Sequence, residues 1–149
     1  MTEKIPARDE KPNAPSGSEI GLLWLSLVVG MTLHFTYAVS GMKYGIPFVD
    51  EGATGEVPWS NFAMKSTFYV LPFLFAVAST GNPGRLLRRV HFIVACLFIL
   101  PNLAHLIGTI GAAKAPLDYA QIVLLAAVLI SNLQLVRLTR LWVKDQSIS

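Results

Sequence analysis

Three side chains in this sequence can take or hold a proton, or ligate a metal, within apolar surroundings: His34, His91 and His105. An imidazole acts as a metal ligand, a proton shuttle or a neutral hydrogen-bonding group. Amides and hydroxyls within the same apolar runs, Tyr37, Asn102, Thr109 and Asn132, are candidate interior polar groups alongside them. Other chemistry is excluded. No Asp or Glu lies within any long apolar run, so a proton-coupled exporter of the small four-helix type would lack its carboxylate. There is no Ser-His-Asp set, phosphate-binding Gly loop or His-Glu-x-x-His helix. The single Cys96 rules out an intramolecular disulfide and a Cys-x-x-Cys redox pair, and reads as a small apolar residue. No catalytic residue is expected, nor a metal site built from protein ligands alone.

Helical spacing groups the polar residues. At about 100° per residue, His91, Asn102, His105 and Thr109 share one sector with Ala95 and Phe98. Cys96, Ile99, Leu103 and Leu106 lie elsewhere. Polar groups on a membrane helix usually face the interior. A second stripe holds Gly30, His34, Tyr37 and Gly41, where small residues admit another backbone or a flat ligand. It is expected to face the helix that carries His105, with Leu27 on the outer face. Ser131, Asn132 and Gln134 are expected to bond between helices. His91 and His105 are 14 residues apart. That pair resembles the paired-histidine helices of membrane b-type cytochromes, over one helix and one spacing. The resemblance implies haem b. A second matching pair is lacking, since only His34 remains, so one chain can hold at most one bis-histidine haem.

These residues must be positioned by apolar elements. Of 149 residues, 53% are hydrophobic and 14% charged, against about 25% charged in a soluble domain. The apolar residues fall in four runs, each near the ~20 residues that cross a bilayer core. The expected spans are 20–42, 60–80, 90–113 and 119–137, forming one all-α membrane domain over 20–142. Residues 1–19 are a polar, proline-broken tail, expected to be disordered, and 143–149 are a second tail. Ala38-Val39-Ser40 resembles a cleavage site, but the run is too long for a signal peptide and is expected to stay as an anchor. Ser60 is the expected N-cap of the second helix, with Trp59 and Phe62 at the interface and Lys65 reaching the headgroups. Pro72 and Pro101 free the carbonyls of Phe68 and Leu97. The acids Asp50, Glu51 and Glu56 read as a solvated loop.

Nine of the twelve Lys and Arg residues lie in 1–19, 81–89 and 137–149. The positive-inside rule places those segments in the cytoplasm. The expected architecture is therefore a four-helix antiparallel bundle in the inner (plasma) membrane, N-in and C-in, with short links making helices two, three and four neighbours. His34 and His105 each lie about three residues to the outer side of mid-span, so at ~1.5 Å per residue they share a depth. His91, next to three arginines, is expected among the headgroups. Two functions follow. One is a non-enzymatic accessory or assembly subunit, or a small-ligand-binding bundle, with lipid and a membrane protein or a second copy as partners and no nucleic acid. The other is a mono-haem electron carrier or sensor, with His34 and His105 as the axial pair.

Overall fold

Each of the four apolar runs falls on a helix: those over 20–42 and 119–137 are overrun at both ends, and those over 60–80 and 90–113 start earlier and stop one residue short. The computed structural model describes residues 14–47, 49, 52–81, 83–114 and 116–145. Most of the tail expected to be disordered, the loop acids Asp50 and Glu51, and residues 146–149 lie outside the described residues. Four helices are long and apolar enough to cross a membrane: Gly17–Tyr44, Trp59–Ser79, Arg85–Ala112 and Pro116–Asp145. Among the described residues there is no strand.

α1 (Gly17–Ser40) starts before its apolar run because Ser16 and Glu19 cap each other. The Glu19 N–H donates to Ser16 Oγ at 3.2 Å, and the Glu19 carboxylate accepts from the Ser16 N–H at 2.6 Å. This reciprocal capping box satisfies donors that the first turn leaves free. A 3-10 turn, Gly41–Tyr44, follows and ends at Gly45, whose φ of 77° suits glycine.

The second spanning helix has three parts: α2 (Trp59–Lys65), a π turn (Ser66–Val70) and α3 (Leu71–Ser79). Ser60 is not its N-cap. Pro58 holds that position, and its carbonyl accepts the Asn61 N–H at 2.9 Å, which puts Ser60 inside the first turn. Pro72 cannot donate to the Phe68 carbonyl. The helix widens in the turn just before it, where the Leu71 N–H donates to Ser66 five residues back.

α4 (Arg85–Ala112) includes Arg85, Arg88 and Arg89, which hydropathy had placed in a connection. α5 (Pro116–Asp145) runs through Arg137, Arg140, Trp142 and Lys144. Arginine and lysine are good helix formers. Hydropathy marks the apolar part of a helix and not its ends.

The closely packed helix pairs are α4 with α5, α1 with α5, and α1 with α3. Glycines set two of these contacts. A Cβ on Gly17 would run into the Ser79 carbonyl oxygen, and one on Gly21 would lie 2.7 Å from Ser79 Oγ and 3.2 Å from the Ala76 carbonyl. This is close backbone approach of the Gly-x-x-x-Gly kind. Gly30 abuts the Val128 side chain on α5, so its stripe does not face α4 there as expected. Leu27, expected on the outer face, is 2% exposed and belongs to the core with Ile20, Trp24, Phe75, Phe98 and Leu135. The exterior is apolar: Leu22, Leu100, Val123 and Ile130 are each more than 60% exposed. The second spanning helix and α4 meet through rings, with Phe75 of α3 against His91 at 4.6 Å and Phe68 of the π turn against Phe98 at 5.7 Å between centroids.

Candidate functional site

Polar side chains on the inward stripe of α4 meet partners on α1 and α5 in three layers. Their chemistry differs because their closure differs.

In the first layer His91 is 0% exposed. Its Nδ1 accepts from the Trp24 indole N–H at 2.9 Å. A neutral His91 then carries its proton on Nε2, which is buried with no hydrogen-bond partner. Phe75 and Trp142 pack edge-to-face on the imidazole at 4.6 and 5.6 Å, a geometry that lets an N–H meet a π face. Arg88 seals this layer. It donates from Nε to the Pro83 carbonyl and from Nη1 to the Trp142 carbonyl, both at 3.1 Å, and stacks 4.7 Å from the Trp142 ring centre. His91 is thus enclosed within the bundle, on the inward face that its helical stripe implied. The apolar partners of a helix stripe enclose it, and Arg88 beside it folds inward over Trp142. The ring cage leaves His91 no room for a ligand.

The second layer joins Asn102 and Asn132. Asn102 Nδ2 donates to Asn132 Oδ1 at 2.9 Å, and Asn132 Nδ2 donates to the Ala95 carbonyl at 2.9 Å. Both residues are buried, as expected of interior polar groups. Gln134 faces outward instead. Tyr37, expected inside, is 39% exposed and lines a groove between α1 and α5 with Ala120 and Val123.

The third layer is the His34–His105 pair, whose shared depth the sequence implied. The two Nε2 atoms lie 3.0 Å apart and the rings meet at 85°. One ring must therefore carry its proton at Nε2 and the other must accept there. The pair borders a cavity of about 670 Å³ between α1, the second spanning helix and α4. Met31, Phe35, Asn61, Lys65, Phe68 and Tyr69 contribute to its wall. The volume lies within the usual ~300–1,000 Å³ of small-molecule sites. Two wall atoms, His34 Nδ1 and Asn61 Oδ1, are buried without a hydrogen-bond partner. The π turn supplies Phe68 and Tyr69, and such turns recur at functional sites. The Tyr69 hydroxyl donates to the Met31 carbonyl at 3.3 Å.

Haem does not fit this pair as placed. A bis-histidine iron holds the two nitrogens on opposite faces of a flat macrocycle, separated by two metal–ligand bonds. Here each Nε2 occupies the position that iron would need. Among the described residues the wall holds no carboxylate or thiol; its proton-bearing groups are the two imidazoles, Lys65 and Tyr69. The arrangement can hold a polar molecule beside the two imidazoles. Residue spacing drew attention to the histidines but not to Asn61 or Trp24. The signals were present: an amide early in an apolar helix, and an indole N–H, which seeks an acceptor when buried. Against known proteins, the chain matches no family model, and neither a curated protein nor a solved structure is similar to it.

Proposed function

We propose that this chain is a multi-pass protein of the cell's inner (plasma) membrane that binds a small ligand in the His34–His105 cavity and catalyses no reaction on it. It is an antiparallel four-helix bundle with both termini cytoplasmic. Two things support the architecture: the apolar exterior, and the gathering of Arg88, Trp142, Gly17 and Ser79 contacts at the basic ends of the helices. The observation that carries the ligand reading is the cavity itself, where two buried polar atoms lack partners beside a histidine pair. Buried polar groups in native proteins are nearly always satisfied. A ligand with hydrogen-bonding atoms supplies what the wall lacks.

The test is mass analysis of small molecules that co-purify with the protein in native-lipid discs. The wild type should retain a molecule that His34→Ala and His105→Ala both lose. Trp24→Phe, in the closed layer, should retain it. Identical small-molecule content in all four proteins would sink the reading.

A further inference from the structure

Resting on that ligand-binding reading, we infer that the ligand is a lipid with an anionic head, its head beside Lys65 and the histidine pair and its tail along the outside of α1.

Charge is the first observation. Lys65 lines the cavity, and among the described residues no carboxylate does. Its ammonium lies 5.9 Å from the centre of the Phe35 ring, within cation–π range. A cation beside an apolar wall with no acid in it favours an anion over a neutral or cationic guest.

Hydrogen-bonding sense is the second. The His34–His105 contact can run in either direction. When His105 donates, His34 carries its proton on Nδ1, the buried atom without a partner. An acceptor oxygen at Nδ1 selects that direction and satisfies the atom. The unpartnered atom of Asn61 on the same wall, Oδ1, is an acceptor and needs a donor of its own. An oxyanion head therefore finds a cation and an imidazole N–H.

Shape is the third. A second cavity of about 430 Å³ lies on the outer surface between α1 and the second spanning helix. Phe35, Lys65 and Tyr69 line both cavities, so the two adjoin at the ammonium. The outer one is floored by Thr32, Phe62 and Val70, all exposed where the surrounding solvent is lipid. A head in the first and an alkyl chain in the second fills both. Such a molecule enters sideways from the bilayer and needs no aqueous opening.

The experiment uses the full-length protein in discs of a zwitterionic lipid, with empty discs as blank. Binding of labelled palmitate and of hexadecanol, matched in chain length, is measured. Palmitate should bind and hexadecanol should not. Lys65→Met should weaken palmitate about tenfold, the factor that one charge-assisted contact is worth, and Lys65→Arg should keep most of the affinity. Thermal unfolding of each variant confirms that it is folded. Equal binding of the alcohol, or an unchanged affinity in Lys65→Met, would overturn the anionic head. If palmitate fails while another molecule is still retained in a His34-dependent manner, this inference falls and the ligand site stands. If nothing is retained, both fall.

Discussion

Trp24 and His91 lie 67 positions apart in the chain, and their hydrogen bond at 2.9 Å is packed by the rings of Phe75, Phe98 and Trp142. A lone histidine after three arginines reads as an interfacial group, because sequence distance conceals an indole on another helix. His34 and His105 were legible for the opposite reason: equal depth in two spans is a one-dimensional property, and depth alone brings their rings together. The consequences of the two pairs differ. Trp24→Phe leaves His91 Nδ1 buried without a donor, a loss of about 1–3 kcal/mol. Replacing both partners by apolar rings removes the orphan along with the bond. Thermal unfolding in detergent should therefore show Trp24→Phe/His91→Phe costing less than the sum of the two single changes. Strict additivity would mean that the bond contributes nothing.

At the level of elements, the apolar runs located all four long helices but placed half of their ends three residues or more too far in. Hydropathy falls where arginines begin, whereas the backbone of α4 is already helical at Arg85. The cap pair Ser16 and Glu19 stood in the sequence at the right spacing, masked by the prolines just before it. Gly17 and Gly21 were missed likewise, since one of them fell in the polar tail. They nevertheless decide how near α1 comes to α3. Gly21→Leu should force those helices apart and cost about 1–3 kcal/mol, as overpacking does. Gly108→Leu meets nothing within 4 Å and should be neutral or slightly stabilising, because a helical glycine is itself unfavourable. Equal thermal stabilities for the two variants would place the α1–α3 contact elsewhere.

For the whole molecule, the three polar layers mark a passage from closed to open. His91 is sealed, Asn102 bonds to Asn132 while also reaching the cavity wall, and the His34–His105 layer borders free volume. The proposed orientation puts that volume in the outer half of the membrane. A cysteine at Thr54, in a Cys96→Ala background, should then react with an impermeant thiol reagent on intact cells, and one at Asp145 should not. Labelling at 145 from outside would reverse the topology. The cavity itself is tested most directly by ¹⁵N resonances of the three histidines, recorded on protein in native lipid and again after exhaustive delipidation. A ligand held at the third layer predicts that His34 and His105 shift between the two samples while His91, behind its cage of rings, does not. Unchanged His34 and His105 signals, or a His91 signal that moves as far as theirs, would contradict it.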